Sequence, residues 1–351
     1  MNLLINNRKI GDNYPAYIVA EMSANHHQKF EQAAKLIKVA KEAGADAVKL
    51  QTYTPDTLTI ACENDFFKVK GTIWEGKTLF DLYKEAYTPW EWQPKLKKIA
   101  NNIGIDLFST PFDPTAVDFL EKMDIPAHKI ASFEVVDIPL IQKIARTGKP
   151  IIMSIGMATL TEVQEAVSAI QNEGNDQLAL LKCTSAYPAL FEDMNLVTIP
   201  HIAESFNVVA GLSDHTLGSA IPVAAVSLGA CIIEKHFTLS RSAPGPDSAF
   251  SLEPPEFKEM VQAVRNTEEA LGKVHYGVSK NEAVSLHFRR SLFVVQDIKV
   301  GEKLTSENVR SIRPAYGLHP RHYGEVIGMC ARQDIERGTP LSWNLLISNK
   351  E

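Results

Sequence analysis

Short apolar runs alternate with amphipathic segments along most of the chain. The runs are apolar at both odd and even positions, which is typical of parallel strands that are covered on both faces. The intervening segments, such as residues 30–44 and 161–174, repeat their apolar residues with helical spacing. The pattern predicts eight strands, at residues 17–21, 47–51, 106–111, 128–132, 150–156, 178–185, 208–215 and 231–237.

Eight successive strand and helix units predict a (βα)8 TIM barrel over residues 1–275, because this α/β fold needs about 250 residues. The alternative is an open, doubly wound sheet. That fold commonly carries a GxGxxG turn after an early strand, and the sequence has none. Residues 52–89 are long for a connection between a strand and a helix, so we expect this insertion to lie over the active site.

The pattern changes after the last helical segment. Residues 276–289 are polar and irregular, and residues 290–351 alternate short apolar runs with glycine turns. We therefore predict a linker over 276–289 and a small β-rich domain over 290–351. A segment of roughly 65 residues is small for a core of its own, so we expect it to depend on the barrel or on a second subunit.

Composition narrows the classes of function. The 351 residues include 42 acidic and 36 basic ones, a formal charge of −6, without a cluster of lysine and arginine. This argues against nucleic acid and membranes as partners. The longest apolar stretch is shorter than the ~20 residues that span a bilayer, and the first residues do not resemble a signal peptide. The four cysteines are widely spaced, which fits a reducing cytoplasm.

Polar residues end the predicted strands. In a TIM barrel the carboxyl ends of all strands meet at one face, where the active site is built. The residues at or just after these ends are Glu21, Lys49, Gln51, Thr110, Phe112, Lys129, Ser132, Glu134, Ser154, Thr184, Tyr187, Ser213, His215, Glu234 and His236. Because every strand contributes, the sequence predicts an enzyme pocket.

The last strand places three ionisable residues side by side. Side chains alternate between the two faces of a strand, so Glu234 and His236 share the barrel mouth and Lys235 points away from it. His215 ends the preceding strand, which brings the two imidazoles close enough to share one metal ion with open coordination positions. The alternative is that each histidine caps a layer of the barrel by hydrogen bonding.

Two lysines interrupt otherwise apolar strands. Lys49 and Lys129 are costly to bury without an anion, and hydroxyl groups lie at comparable depth. Together they predict a pocket for a small dianion such as a phosphate ester. The alternative is that each lysine pairs with a buried glutamate, so Glu21, Glu134 and Glu234 are either counter-ions or general acids and bases. The hydroxyls belong to Thr110, Ser132, Ser154 and Ser213.

Weaker signals complete the set of candidates. Asp247 lies in a Gly/Pro-rich loop after the eighth strand, where it either orients substrate hydroxyls or forms a turn. Phe112 and Tyr187 either bind substrate or pack. Arg313, in the small domain, either reaches a barrel mouth or stays at the surface.

A series of motifs, in order, identifies a family. They are AEMSANHH at 20–27, EAGADAVKLQTY at 42–53, FSTPFD at 108–113, HKIASFE at 128–134, SIGMAT at 154–159, KCTSAYPA at 182–189, GLSDHTLG at 211–218 and EKHFTL at 234–239. Through them the chain resembles the sialic acid synthase family over essentially its full length. The segment from Arg289 onward resembles the antifreeze-like (SAF) domain that follows the barrel in these enzymes.

The resemblance implies a reaction and a set of contacts. Family members condense phosphoenolpyruvate with an acetamido sugar and water and release phosphate by C–O cleavage. A divalent cation, Mn²⁺ before Mg²⁺ or Co²⁺, would be held by His215 and His236, and Glu21, Glu134 or Glu234 would move protons. Phosphoenolpyruvate would contact Lys49, Thr110, Lys129, Ser132, Ser154, Thr184 and Ser213. The sugar would contact Gln51, Tyr187, Asp247 and Phe288. Arg313 would enter the site from the partner of a domain-swapped homodimer.

Within the family, residues 71–92 and 245–254 most resemble the branch that uses 2,4-diacetamido-2,4,6-trideoxy-L-altrose. The alternative is a sialic or legionaminic acid synthase with the same mechanism. A metal-dependent synthase acting on a sugar phosphate would need a second phosphate cluster, for which the sequence offers no clear candidate. A non-enzymatic ice- or sugar-binding protein would leave the polar strand ends without a purpose.

Overall fold

The chain divides into two units, Met1–Gly272 and Lys273–Glu351. The structure, a computed structural model, describes residues 2–243 and 245–347. The division falls shortly before residue 275, the predicted end of the barrel domain. Over the described ranges, none of the helices has both the length and the apolar composition that a membrane span requires.

A hairpin precedes the barrel. Strands β1 (Asn2–Ile5) and β2 (Arg8–Gly11) pair antiparallel across a two-residue turn. The turn residues Asn6 and Asn7 have φ values of 47° and 65°, as a type I′ turn requires, and asparagine tolerates this conformation. The hairpin covers the barrel end where the strands begin. Its side chains Leu3, Ile5 and Ile10 join an apolar cluster with side chains of the barrel strands.

Eight parallel strands of the described chain close into a barrel in which β10 lies between β9 and β3. The predicted TIM barrel is therefore confirmed, and each strand matches a predicted run to within a few residues. Both faces of these strands are covered, which explains why the runs are apolar at both parities. The strands are β3 (Tyr17–Glu21), β4 (Ala47–Thr52), β5 (Asp106–Pro111), β6 (His128–Ile130), β7 (Ile151–Ser154), β8 (Leu178–Cys183), β9 (Val209–Asp214) and β10 (Ile232–His236).

Helices follow the strands and surround the barrel. They are α1 (Phe30–Glu42), α2 (Pro55–Leu58), α3 (Leu79–Ala86), α4 (Gln93–Ile103), α5 (Pro114–Lys122), α6 (Ile138–Ala145), α7 (Leu160–Asn172), α8 (Thr198–Phe206), α9 (Ala220–Ser227) and α10 (Pro254–Leu271). Several begin at residues that satisfy the free N–H groups of a first turn. Asp113 accepts from two backbone N–H groups ahead of α5, and Thr159 forms a capping box with Glu162 ahead of α7.

The second unit contains two small antiparallel sheets within its described residues. One pairs β11 (Ser291–Val294) with β12 (Val309–Ile312), and the other pairs β13 (Cys330–Ala331) with β14 (Leu346–Ile347). A short helix, α11 (Tyr323–Val326), lies between them in the chain. The segment buries an apolar cluster of its own between residues 292 and 346, and its dependence on the barrel or on a second subunit stays a prediction. Residues 271–290, by contrast, are all exposed.

Candidate active site

The carboxyl ends of three adjacent strands bring the charged residues together. In the strand register, His236 of β10 lies beside Glu21 of β3, and Glu21 lies beside Lys49 of β4. On the other edge of β10, Glu234 lies beside Ser213 of β9. Residues beside one another in a sheet point to the same face, so these side chains converge in the barrel mouth.

Lys49 joins two buried carboxyl groups. Its Nζ lies 2.7 Å from Glu21 Oε2 and 3.5 Å from Glu234 Oε1. The Gln51 amide donates to the other oxygen of Glu21 at 2.9 Å, and the Ser213 hydroxyl donates to Glu234 at 3.3 Å. The alternative that Lys49 pairs with buried glutamates is therefore confirmed. One cation faces two carboxyls, which favours a proton on one of them.

Burial and the two lysines drive the pKa values of the carboxyls apart. Burial raises the pKa of Glu21 to about 7. The charge of Lys49 opposes this rise, and repulsion from Glu234 adds to it. Burial would also raise the pKa of Glu234, but the charges of Lys129 and Lys49 outweigh it and lower the pKa. Burial raises the pKa of Glu134 to about 7. Near neutral pH, Glu21 and Glu134 can therefore exchange protons, whereas Glu234 stays ionised.

Lys129 is the second buried lysine of the barrel mouth. Its Nζ donates to the Ser154 hydroxyl at 2.6 Å and to the carbonyl of Ile130 at 2.8 Å. Neither acceptor is charged, and burial lowers the pKa of the ammonium. A cation buried beside neutral acceptors favours the arrival of an anion.

A small cavity joins the two lysines. Its volume is about 60 Å³. Beside it, the backbone N–H of Gly156 donates to the Ser132 hydroxyl at 3.0 Å, and a Cβ at Gly156 would lie only 2.8 Å from that oxygen. Glycine therefore permits this approach. The predicted residues that line the cavity are Glu21, Lys49, Gln51, Lys129, Ser132, Ser154, Tyr187, Ser213, His215, Glu234 and His236.

The two histidines meet at the edge of this cavity. The ring centroids of His215 and His236 are 5.3 Å apart. His215 Nδ1 lies 2.8 Å from the carbonyl oxygen of Thr184, to which it donates, so its Nε2 carries a lone pair. His236 Nδ1 is buried without a hydrogen-bond partner in the described chain. Burial lowers the pKa of both imidazoles, which keeps them neutral.

A neutral imidazole with a free nitrogen is the form that binds a metal ion, so the pair fits a divalent cation. Between residues 2 and 243 and between 245 and 347, no group of three or more His, Cys, Asp or Glu side chains is arranged to hold one. Substrate or water oxygens would therefore have to complete the coordination, as the sequence predicted for an open site.

A second cavity, of about 410 Å³, adjoins the first and shares Gln51, Tyr187 and His236 with it. Asp247 lines it and accepts hydrogen bonds from the Ser23 hydroxyl and, at 3.4 Å, from the Ala24 N–H. Phe112 and Glu134 line it as well. A third cavity, of about 610 Å³, is lined by none of the predicted site residues.

The remaining predicted residues are Thr184, Thr110, Phe288 and Arg313. The Thr184 hydroxyl donates to the Asp193 carbonyl at 3.2 Å. The contact of Thr184 with the site is its own backbone carbonyl, which accepts the hydrogen bond from His215 Nδ1. The Thr110 hydroxyl is buried and accepts a hydrogen bond from Lys49 Nζ at 3.4 Å. Phe288 ends a 3-10 helix and Arg313 follows β12, both in the second unit. Their contacts with substrate stay predictions.

The sequence missed several residues that line the two cavities. Cys183 lies at the end of β8 and borders the smaller cavity. Others come from the insertion, where the only signal was its length. They are Tyr53, Leu58, Val69, Thr72, Trp74, Leu79, Leu82, Tyr83 and Ala86.

Known proteins match most of the chain. A Helicobacter pylori pseudaminic acid synthase is 46% identical over 329 residues, which cover 93% of this chain and 97% of that protein. A Legionella pneumophila N,N'-diacetyllegionaminic acid synthase is 36% identical, with 96% and 98% covered. The solved structure of an N-acetylneuraminic acid synthetase from Leptospira borgpetersenii, in complex with citrate, matches with a TM-score of 0.73 and 31% identity. That match covers 82% of this chain and 96% of the other.

Two family models match in succession. The SAF domain model matches residues 289–347, close to the predicted small domain. The NeuB family model matches residues 36–276, the greater part of the barrel. Together with the barrel, the cluster of charged residues at its mouth and the full-length relatives, these matches show that the chain belongs to the NeuB family.

Proposed function

We propose that this chain is a pseudaminic acid synthase. It condenses phosphoenolpyruvate with 2,4-diacetamido-2,4,6-trideoxy-L-altrose and water, giving pseudaminic acid and phosphate, and is therefore a transferase. The observation that carries the proposal is the 46% identity to a pseudaminic acid synthase over 93% of the chain, against 36% to a legionaminic acid synthase. An N-acetylneuraminate or legionaminic acid synthase is the alternative, since the same chemistry would serve another sugar.

The two adjoining cavities suit two substrates. The small one gathers two buried ammonium groups and several hydroxyls, which bind the phosphate and carboxylate of phosphoenolpyruvate. The larger one, bordered by Gln51, Tyr187 and Asp247, holds the sugar. His236 lines both cavities, so the carbon atoms that become bonded meet beside it.

His215 and His236 would hold the divalent cation, with Mn²⁺ as the first candidate. When bound, the cation supplies a Lewis acid for the aldehyde oxygen of the open-chain sugar. The chain fixes the His215 ring through the Thr184 carbonyl. Among the described residues, it leaves His236 Nδ1 without a competing hydrogen-bond partner.

The three glutamates divide the proton transfers. Burial holds the pKa of both Glu21 and Glu134 near 7, so each can give or take a proton during one turnover. Glu234 has a lowered pKa and stays anionic. Its charge offsets part of the positive charge of Lys49 and Lys129 when no substrate is bound.

A homodimer with exchanged C-terminal domains would complete the site. Residues 271–290 are all exposed and include large apolar side chains, among them Val274 and Tyr276, which are 91% and 93% exposed. A second copy of the chain is the partner that would cover them. In such a dimer Phe288 and Arg313 would reach the partner's sugar cavity. The use of phosphoenolpyruvate supports a cytoplasmic location.

Phosphate release tests the function directly. Purified protein is given phosphoenolpyruvate and Mn²⁺ with either 2,4-diacetamido-2,4,6-trideoxy-L-altrose or N-acetylmannosamine, with and without EDTA. His236→Ala is measured beside His201→Ala, which removes an exposed imidazole on α8. We expect turnover of the altrose alone, abolished by EDTA and by His236→Ala but retained in His201→Ala. Turnover of N-acetylmannosamine instead would support the sialic acid alternative, and turnover of neither sugar would contradict the proposal.

A further inference from the structure

The insertion between β4 and α4 forms a defined piece of structure. After α2, the N–H of Val69 donates to the carbonyl of Lys77 at 2.9 Å, and Lys68 pairs with Thr78 in a β-bridge. The Thr78 hydroxyl then accepts from the Asp81 N–H at 3.1 Å and starts α3. The segment 68–86 is thus a hairpin that continues directly into a helix.

Trp74 attaches this hairpin to the barrel mouth. Its Nε1 donates to the carbonyl of Pro246 at 2.8 Å, and its ring centroid lies 5.6 Å from that of Tyr187. Pro246 directly precedes Asp247, whose carboxyl lines the sugar cavity. The position of the hairpin is therefore coupled to the groups that we assign to sugar binding.

The sugar cavity has two chemically different parts. The barrel strands and their loops contribute most of its polar groups, including Gln51, Glu134 and Asp247. The hairpin and α3 contribute mainly apolar side chains. Val69 and Leu82 are buried, and both line the cavity. The apolar side chains of the insertion in the cavity are Leu58, Val69, Leu79, Leu82 and Ala86.

We propose that Val69, Leu79 and Leu82 form the wall that receives the C6 methyl group of the sugar and selects 6-deoxy substrates over 6-hydroxylated ones. The inference rests on the proposed function. In that reaction the aldehyde carbon, C1, lies beside His236, and C6 is the opposite end of the open chain. It therefore extends away from the strand ends, towards the insertion.

The physical basis is the contrast between a methyl and a hydroxyl at such a wall. Burying the methyl group removes apolar surface from water, which is favourable. A hydroxyl against the same side chains would lose its hydrogen bonds to water without a replacement, which is unfavourable. Apolar pockets discriminate against an added hydroxyl by up to about 100-fold.

The test compares two sugars that differ only at C6. The value of kcat/KM is measured for 2,4-diacetamido-2,4,6-trideoxy-L-altrose and for its 6-hydroxy analogue, at saturating phosphoenolpyruvate and Mn²⁺. We expect the wild type to favour the 6-deoxy sugar by about 10- to 100-fold. Val69→Thr keeps the shape and adds a hydroxyl, and Leu79→Gln adds an amide at the half-buried first residue of α3. Each should lower the ratio about tenfold while the KM for phosphoenolpyruvate stays unchanged.

Val197→Thr is the matched control, because Val197 is exposed and lies in neither cavity. It should keep the wild-type ratio. A wild-type ratio near one overturns the inference without any variant. A ratio that both Val69→Thr and Leu79→Gln leave unchanged in folded protein overturns it too. Failure of the wild type to use the 6-deoxy sugar at all is a different result, because it contradicts the proposed function.

Discussion

Replacing Lys235 with methionine should destabilise the barrel unit by about 3–5 kcal/mol, the usual cost of breaking a buried ion pair by removing one partner. The Lys235 ammonium pairs with the Asp214 carboxylate and donates to the carbonyl of Thr216. Both charged side chains are fully inaccessible to solvent. Methionine keeps the apolar stem and most of the volume, so the lost charge dominates the effect.

The size of the effect follows from what remains around Asp214. Its carboxylate still accepts from the Thr216 N–H at 2.9 Å and from the Thr216 hydroxyl at 3.2 Å, but no cation balances its charge. For a unit of this size, a loss of about 4 kcal/mol lowers the melting temperature by about 10 °C. Adding Asp214→Asn removes the stranded charge and keeps an acceptor for the Thr216 N–H. The double variant should therefore recover about 1–3 kcal/mol relative to Lys235→Met alone.

Thermal and urea unfolding followed by circular dichroism measure these differences. Lys143→Met is the control, because its ion pair with Asp118 is 33% and 60% exposed and should contribute less than about 1 kcal/mol. The reasoning is refuted if Lys235→Met melts within about 2 °C of the wild type. A double variant no more stable than Lys235→Met would equally show that the buried charge is not the cause.

Two further predictions concern the site itself. Gly156→Ala would place a methyl group 2.8 Å from Ser132 Oγ and 2.3 Å from Ser185 Oγ, so the hydroxyls must turn away. We expect the KM for phosphoenolpyruvate to rise about tenfold while the KM for the sugar is unchanged, and steady-state kinetics with equal effects on both would argue against it. Glu134, with its pKa raised from 4.5 to about 7, binds a proton in the native state that the unfolded chain has lost over that pH range. The free energy of unfolding should therefore fall as pH rises from about 4.5 to about 7, and Glu134→Gln should flatten this slope in urea titrations at pH 5, 6 and 7. An unchanged slope in the variant would count against the raised pKa.

The barrel was predictable because its strands are covered on both faces. Runs such as 17–20 and 178–181 are continuously apolar, and this pattern depends on burial alone. The N-terminal hairpin was not predicted, although Asn6 and Asn7 between short apolar stretches are typical of a tight turn. Four-residue strands give too few alternations to stand out from a loop.

The site was predictable as far as strand periodicity reaches. Alternation assigned Glu234 and His236 to one face and Lys235 to the other, as the structure has them. The insertion gave no such guide. The cavity wall depends on the hairpin bond between Val69 and Lys77 and on the reach of Trp74 to Pro246, neither of which follows from any period. Its length alone pointed to function.

A single strand explains why three ionisable groups are buried together. β10 lies against both β9 and β3, so its inward residues are brought beside Ser213 on one edge and Glu21 on the other. Its outward residue, Lys235, lies beside Asp214, and binds the residues on either side of His215. The ion pair of Lys235 with Asp214, on the outward face of β10, therefore fixes the turn that presents His215. Glu234, on the inward face, belongs to the site. Stability and chemistry are thus coupled through one register, and a shift of β10 by one residue would disrupt both.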